Sequence, residues 1–242
     1  MKFVIPSYQR SDKLAKKTLK YLCDNKVPAS DTYIFIRDDD SQREEYLDLG
    51  IDYKINIVIT NVKGIGKTHN TITETFDEGE FIVEIDDDMT SVIDNFRKPV
   101  DFLKTCDLMK KNMTEVGASY GGTYQCDNTM FMSQCKEFTY DLKYCLGCLR
   151  FRFIRKEIVL ETNYSEDFEN CIQHYIRDGV IVKNNWIAPQ TSNYSKGGCD
   201  GDGRNVESEK IDKEFLANKY PNHCKLFQRK NGRWDLRLKH KK

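Results

Sequence analysis

The first hundred residues alternate between short apolar runs and helical stretches, and this alternation constrains the fold more than any other feature. Residues Leu14, Thr18 and Leu22 recur at helical spacing between two such runs, and Ile72 and Phe76 do so before the last one. Buried strands separated by helices are typical of βαβ units. We therefore predict an α/β fold with a mostly parallel sheet, whose ligands bind at the carboxyl ends of the strands. The four runs are "FVI" (3–5), "YIFI" (33–36), "INIVI" (55–59) and "FIVEI" (81–85).

The second half of the chain has a different pattern. A stripe of Phe102, Cys106, Met109 and Met113 predicts a helix with one buried face. Four strand-like segments then follow between residues 116 and 154, so the sheet is expected to become mixed. Further predictions are a helix over 166–178 ended by Gly179, a strand "VIVKNNWIA", a loop over 190–205 that could be an active-site lid, a helix near 208–219 and a strand "WDLRL". The four strand-like segments are "VGASYGGTY", "NTMFMSQ", "EFTYDL" and "CLRFRFI".

Charge and hydropathy exclude several classes of protein. The 38 basic and 38 acidic residues cancel, so any affinity for nucleic acid must be local. No window approaches the roughly 18 apolar residues of a membrane span, and Pro6 interrupts the apolar start too early for a secretory signal. We therefore expect one active unit without a membrane partner in the cytoplasm, which for a viral protein means the host cytoplasm.

The nine cysteines are expected to be reduced thiols, because the chain carries no export signal. Four of them could form a tetrahedral zinc site: Cys126, Cys135, Cys145 and Cys148. The gaps of eight and nine residues between the first three lack the paired spacing of zinc sites, which favours buried, inert thiols.

The stretch "NVKGIGKT", residues 61–68, is close to the phosphate-binding loop G-x-x-x-x-G-K-[ST] of ATPases, but Asn61 replaces the first glycine. Asn tolerates positive φ, and the next strand ends in acidic residues, as in an ATPase. However, this loop and the acidic strand end fall on the third and fourth strands of the sheet, and the first strand carries no phosphate loop. This position argues against an ATPase.

Three consecutive aspartates, Asp86, Asp87 and Asp88, follow the fourth apolar run. In an extended segment residues i and i+2 share a face, so Asp86 and Asp88 can converge on one cation while Asp87 points away. A Mg²⁺ or Mn²⁺ ion held by one or two carboxylates keeps positions free for diphosphate oxygens. A simple acidic turn after a buried strand is the alternative.

Four segments, "FVIPSYQRSDKLAKKTLKYL", "FIRDDDSQREEY", "GIGKTHNTITETFDEGEFIVEIDDDM" and "SEDFENC", follow one another within residues 1–180. In this order they resemble the family-2-like nucleotide-sugar glycosyltransferases of the GT-A fold. The resemblance implies a Rossmann-like, mostly parallel sheet flanked by helices, mixed in its C-terminal half. It also implies one domain over 1–242, with a nucleotide-sugar-binding half (1–100), an acceptor half (101–205) and a basic C-terminal extension (206–242).

The resemblance implies a UDP-sugar donor, in whose site an aspartate after the second strand reads the uracil edge. It assigns these residues to the donor: Pro6, Ser7, Tyr8, Arg10, Asp38 or Asp39, Gly64, Lys67, Asn70, Asp86 and Asp87.

The resemblance also implies a catalytic apparatus. Asp88 and Asp86, with His223 as a late ligand, would bind Mn²⁺ or Mg²⁺, which offsets charge on the leaving UDP. Asp167, in a pair with Glu166 at the start of a helix, would be the general base of an inverting transfer. An acidic pair in a first helical turn also complements the helix dipole, which is the alternative.

Two features bear on the acceptor. The late Gln-x-x-Arg-Trp motif of polymerising members is absent, which argues against a processive polysaccharide synthase. The compact size, the triple aspartate and the segment "KYPNHCKLFQRKNGRWDLRL" resemble the TET/JBP-associated glycosyltransferases of phages and large viruses. That subgroup is implied to transfer a sugar from a UDP donor to the hydroxymethyl group of a modified pyrimidine in DNA.

The tail from Lys225 to Lys242 agrees with a DNA acceptor. Eight Lys and Arg residues against Asp235 give it a charge of +7 in a neutral chain, as in a patch that tracks a phosphate backbone. Tyr120, Tyr124 and Trp186 could stack on an extruded base. The alternatives are a solvated tail and aromatic rings that belong to the core.

Two other functions are left open. One is sugar transfer to a glycan or small molecule, and the other is a non-catalytic module that binds a nucleotide or DNA.

Overall fold

The computed structural model describes residues 1–191, 198 and 202–239. Their strands, in chain order, are β1 (Lys2–Pro6), β2 (Thr32–Arg37), β3 (Asn56–Thr60), β4 (Phe81–Ile85), β5 (Met89–Asp94), β6 (Tyr120–Thr123), β7 (Phe138–Thr139), β8 (Leu149–Phe153), β9 (Val182–Asn184), β10 (Ile187–Thr191), β11 (Cys224–Gln228) and β12 (Trp234–Leu238).

The helices are α1 (Ser11–Leu14), α2 (Lys20–Asp24), α3 (Arg43–Tyr53), α4 (Ile65–Thr75), α5 (Phe102–Val116), α6 (Thr129–Met132), α7 (Glu166–Asp178) and α8 (Val206–Lys219). A π-helical stretch, Ala15–Leu19, joins α1 to α2, and a 3-10 turn, Ala29–Asp31, precedes β2. In the part of the chain with described coordinates, no helix has the length and apolar character needed to cross a membrane.

Eight strands form one mixed sheet in the order β3-β2-β1-β4-β8-β6-β9-β7. The first four are parallel to one another, as the alternating pattern predicts. The sheet then becomes mixed, because β8 runs antiparallel to both β4 and β6 while β6 and β9 are parallel. The predicted α/β class and the change to a mixed sheet in the C-terminal half are confirmed.

Helices cover both faces of the sheet. Successive residues of each buried strand point to opposite sides, so both faces carry apolar side chains that must be covered. Phe3 and Ile5 pack in the same cluster as Leu14, Phe102 and Met109, so the first helical segment and α5 cover one face. Val4 on the opposite face packs with α4 through Ile72 and Phe76. The stripe predicted on α5 is confirmed as core, since all four of its side chains are buried: Phe102, Cys106, Met109 and Met113.

The sequence pattern misassigned three segments. "NTMFMSQ" contains the short helix α6, because the Asn128 side chain caps its start by accepting from the Phe131 amide. "EFTYDL" contributes only the two-residue strand β7, and "VIVKNNWIA" is divided between β9 and a separate two-stranded sheet of β10 with β5. The lid predicted over 190–205 falls largely on residues 192–197 and 199–201, which lie outside the described residues.

Candidate active site

A cleft of about 1100 Å³ opens at the carboxyl ends of the parallel strands. The last residues of β1, β2 and β3, namely Pro6, Arg37 and Thr60, line it, and so do the three aspartates after β4. The start of α7 comes much later in the chain but contributes Glu166 and Asp167 to the same lining. Strand ends that are distant along the chain therefore meet in one site, as expected for a parallel sheet.

The first helical segment holds the aspartate turn in place. Thr18 Oγ donates to the Asp86 carbonyl at 2.7 Å and accepts from the Met89 amide at 2.9 Å. The Asp86 amide donates to the Cys148 carbonyl at 3.1 Å, next to β8. Because the turn is tied on two sides, its side chains have fixed positions in the cleft.

Asp87 belongs to a polar group that it forms with the loop after β1. Its carboxylate accepts from Ser7 Oγ at 2.7 Å and pairs with Arg10 Nη1 at 3.0 Å. The Tyr46 hydroxyl is 2.7 Å from Ser7 Oγ and accepts from the Arg10 amide at 2.9 Å. Burial raises the pKa of Asp87, and the Arg10 charge opposes that rise. Asp87 therefore connects the loop after β1 to the aspartate turn.

Asp86 and Asp88 have the chemistry of a cation site. Burial, and secondarily the charge of Asp87, raises the pKa of Asp86 to about 6, because both disfavour the charged carboxylate. No hydrogen bond to the Asp88 carboxylate is found from any residue that the structure describes. The described residues contain no group of three His, Cys, Asp or Glu side chains that could hold a metal. A Mg²⁺ or Mn²⁺ ion shared with a diphosphate needs only one or two carboxylates, so Asp86 and Asp88 fit such an ion.

The aspartates predicted to read the uracil edge, Asp38 or Asp39, lie outside the cleft lining, beside residues that belong to it. Tyr8 and Arg37 line the cleft, and the Arg37 guanidinium lies 4.3 Å from the centroid of the Tyr8 ring. Asp38 and Asp39 are exposed and outside the lining, and Asp39 pairs with Arg37 at 2.6 Å and with Lys63 at 3.4 Å. Asp39 is therefore connected to the cleft only through its ion pair with Arg37, among the contacts of described residues.

The stretch that resembles a phosphate loop forms the start of α4. Gly64 lines the cleft at the N-cap with φ of +98°, where other residues are strained. A Cβ atom at Gly66 would overlap the Thr162 carbonyl oxygen, so glycine is required for this close packing. Lys67 is exposed and outside the lining, while Asn70 exchanges two 2.8 Å hydrogen bonds with the Leu160 backbone. The glycines of this stretch thus position a helix.

Asp167 is held by three donors at the start of α7. Its carboxylate accepts from Arg150 Nη1 at 2.9 Å, from the Gly147 amide at 3.1 Å and from the Tyr144 hydroxyl at 3.3 Å. Its neighbour Glu166 differs, because burial and then the charge of Asp167 raise the pKa of Glu166 well above its usual value. The pair therefore combines an oriented carboxylate with a carboxyl group that favours its protonated form.

A buried charge network behind Asp167 was not predicted from the sequence. Glu84 is the second-last residue of β4, and its carboxylate pairs with Arg150 Nε at 2.6 Å and with Arg152. Neutral His69 completes the network: its Nδ1 lies 3.3 Å from Glu84, and Arg150 donates to its Nε2. Burial and then the Arg150 charge lower the pKa of His69 to about 4. The signal in the sequence was a glutamate inside an otherwise apolar strand.

Several other predicted residues lie away from the cleft. His223 packs edge-on against Tyr175 at 6.3 Å between ring centroids and is not part of the lining. Of the four candidate zinc cysteines, Cys126 is exposed and Cys145 is buried against Cys171, and no metal-binding cluster of described residues includes them. All four are free thiols, but the expected burial holds for Cys145 only, since Cys126 is exposed and the other two, Cys135 and Cys148, are partly exposed.

The aromatic residues in the cleft are not those expected from the sequence. Tyr120 is fully buried, Tyr124 lies under the Lys183 ammonium, and the Trp186 indole donates to the Cys135 carbonyl at 2.9 Å. None of these three rings lines the cleft. Phe227 and Trp234 of the C-terminal hairpin line it instead, together with three arginines of the basic tail: Arg229, Arg233 and Arg237.

Sheet order and helix placement together define a GT-A, Rossmann-like α/β fold, and solved structures share it. Glucosyl-3-phosphoglycerate synthase from Mycobacterium tuberculosis, in complex with Mn²⁺, UDP and glucosyl-3-phosphoglycerate, superposes with a TM-score of 0.57 at 12% identity, over 99% of this chain and 86% of that one. S. aureus TarS 1–349 in complex with UDP gives a TM-score of 0.52 at 14% identity, over 91% of this chain and 72% of that one.

A third similar structure is the mannosyltransferase PcManGT from Pyrobaculum calidifontis in complex with GDP-Man and Mn²⁺. Its TM-score is 0.51 at 13% identity, over 76% of this chain and 56% of that one. No protein-family model matches the sequence, and no curated protein matches it. At these identities the likeness establishes the fold.

Proposed function

We propose that this protein is a metal-dependent glycosyltransferase that uses a UDP-sugar. The observation that carries the proposal is the meeting of Asp86 and Asp88 with Asp167 in one cleft at the carboxyl ends of the strands. A nucleotide-sugar transferase needs a cation site beside the donor diphosphate and a carboxylate near the acceptor. The Mn²⁺ complexes of two similar folds, one with UDP and one with GDP-Man, support this assignment.

The donor site extends from the loop after β1 to the aspartate turn. Asp86 and Asp88 would hold Mn²⁺ or Mg²⁺, which when bound compensates the charge on the leaving diphosphate. Ser7 and Arg10 hold Asp87 and thereby fix the turn, and Tyr8 with Arg37 forms the wall beside it. This division gives the three aspartates different roles, two toward the cation and one toward the protein.

The transfer itself would proceed by inversion. The acceptor hydroxyl oxygen forms a bond to the anomeric carbon while the bond from that carbon to the UDP oxygen breaks. Asp167 takes the hydroxyl proton, and its three hydrogen-bond donors hold the carboxylate in position to do so. Glu166 lies beside it, and burial and the charge of Asp167 raise the pKa of the Glu166 carboxyl group.

The acceptor in this proposal is the hydroxymethyl group of a modified pyrimidine in DNA. The basic C-terminal segment supports it, because arginines of that segment line the same cleft as Asp167. A small-molecule acceptor is the second candidate, and the complex of the Mycobacterium tuberculosis synthase with glucosyl-3-phosphoglycerate favours it.

The direct test is mass spectrometry of nucleosides from DNA that contains 5-hydroxymethylcytosine or 5-hydroxymethyluracil. The DNA is incubated with the protein, Mn²⁺ and a panel of UDP-sugars. We expect a hexose or pentose mass on one nucleoside. UDP release without such a mass would support the transferase but contradict the DNA acceptor. A complete lack of UDP release would contradict the proposed function.

Asp167→Asn is expected to lower turnover by about 10²- to 10⁴-fold, the usual contribution of a general base. The affinity for UDP should change little, because Asp167 lies on the acceptor side in this proposal. Asp107→Asn, on the exposed side of α5, is a matched control that should retain full turnover. The prediction is checked by the rate of UDP release and by the UDP affinity from calorimetry. Unimpaired turnover of Asp167→Asn would show that another residue is the base.

A further inference from the structure

The C-terminal hairpin forms one wall of the active-site cleft. Strands β11 and β12 pair in antiparallel register, and Cys224, Leu236 and Leu238 pack with Leu216 of α8 in a buried cluster. This packing holds the hairpin against the body of the protein. It leaves part of the hairpin in the cleft lining together with Asp88 and Asp167.

Positive charge dominates this wall. Three carboxylates, Asp202, Glu209 and Asp235, line this side of the cleft with five cationic side chains, which leaves an excess of two positive charges. The carboxylates are shared, because Glu209 lies 2.6, 3.3 and 3.7 Å from three of the cations and Asp235 pairs with a fourth. A polyanion is therefore the ligand that this wall would attract. The cationic residues are Arg204, Lys213, Arg229, Arg233 and Arg237.

Aromatic rings alternate with these arginines. Phe227 and Trp234 are half-buried in the cleft lining, and the Arg237 guanidinium lies 4.9 Å from the centroid of the Phe227 ring. Cationic grooves with interleaved aromatic rings bind single-stranded nucleic acid, because phosphates pair with the cations and bases stack on the rings.

We propose that the β11–β12 hairpin binds a single strand of DNA, with phosphates on Arg229, Arg233 and Arg237 and bases on Phe227 and Trp234. The inference rests on the proposed function, since it supplies the path by which a pyrimidine reaches Asp167. A cleft of about 1100 Å³ accommodates nucleotides of a single strand. A base paired in a duplex would first have to be extruded, which costs unpairing and unstacking energy.

The hairpin itself provides matched test variants. Arg233→Gln/Arg237→Gln removes two cleft cations and leaves the ion pair of Arg229 with Asp235 intact. Lys225→Gln/Lys230→Gln removes the same charge from exposed positions of the same hairpin that lie outside the cleft lining. A third variant, Trp234→Ala, tests stacking without any change of charge.

Binding is measured by fluorescence anisotropy with a fluorescein-labelled oligothymidine of about 16 nucleotides, the upper site size of many single-strand modules. A duplex of the same length is the comparison. We expect the wild type to prefer the single strand, the arginine variant and Trp234→Ala to lose about tenfold or more in affinity, and the lysine variant to lose less than about threefold. The slope of log affinity against log salt should fall by about 1.4 in the arginine variant, since each phosphate contact contributes about 0.7.

Calorimetry of UDP binding in Mn²⁺, run on the same proteins, separates the possible failures. Equal loss in the arginine and lysine variants, or equal affinity for duplex and single strand, would overturn the hairpin proposal. Loss of UDP binding in the arginine variant would also overturn it, because the arginines would then belong to the donor site. Wild-type UDP binding without oligonucleotide binding rejects only the hairpin proposal, whereas oligonucleotide binding without UDP binding rejects the proposed transferase.

Discussion

Asp88→Asn is expected to abolish sugar transfer, with a loss of about 10³-fold or more in turnover, while the protein stays folded. An amide is a weaker ligand than a carboxylate for Mg²⁺ or Mn²⁺, and Asp88 has no other bonded partner among the described residues. The change also removes one of three neighbouring negative charges. The free energy of unfolding of the protein without metal should therefore stay the same or rise.

The measurements for Asp88→Asn are UDP release and the dependence of UDP affinity on Mn²⁺. The wild type should bind UDP more tightly with Mn²⁺, and the variant should lose that dependence. Asp107→Asn serves again as the control at an exposed position. A fully active Asp88→Asn protein with unchanged dependence on Mn²⁺ would exclude Asp88 as a metal ligand.

Glu84→Gln is expected to destabilise the protein by about 3–5 kcal/mol, because it leaves Arg150 and Arg152 buried without their anionic partner. This is a large part of the roughly 5–15 kcal/mol that stabilises a typical domain. Chemical denaturation gives the free energy of unfolding directly. Glu45→Gln, on the exposed side of α3, is the matched control and should change it by less than about 0.5 kcal/mol.

The effect of Glu84→Gln should depend on pH. Burial alone would raise the pKa of Glu84, but Arg152 and Arg150 outweigh burial and hold it well below its usual value. A carboxyl group with a depressed pKa stabilises the fold above its unfolded pKa of about 4.3 and loses that contribution as the pH falls toward its folded pKa. The difference between wild type and variant should be constant from about pH 5.5 to 7 and shrink only in acid. A difference that grows on acidification would show that the ion pairs do not stabilise the fold.

The Glu84 network also has a consequence for the site. Arg150 contacts both Glu84 and Asp167, so the carboxylate proposed as the base is oriented by a charge that β4 holds in place. Glu84 and Arg150 face each other across the β4–β8 pairing, and His69 of α4 closes the group from the helix side. Three elements that are distant in sequence thus determine where the Asp167 carboxylate lies.

Local pattern was sufficient for several parts of this structure. The four parallel strands, the buried stripe of α5 and the end of α7 at Gly179 were all predicted, because period and end signals are properties of neighbouring residues. The acidic strand end was also recognised locally, whereas the pair Glu166–Asp167 was assigned by a family resemblance, and both line one cleft. Short segments such as "NTMFMSQ" were mispredicted because four-residue helices depend on a cap more than on a period.

The sequence by itself determined the α/β class and the order of its main elements, since these follow from hydrophobic period, and a family resemblance of its motifs implied the acidic residues of the candidate site. Only the tertiary structure decided which charges meet: Asp87 with Arg10, Arg150 with Glu84 and Asp167, and the hairpin arginines with the cleft. An ion pair that the fold forms between residues on different elements leaves no periodic trace in a sequence. Its partners are chosen by strand pairing and by the cost of burying a charge alone.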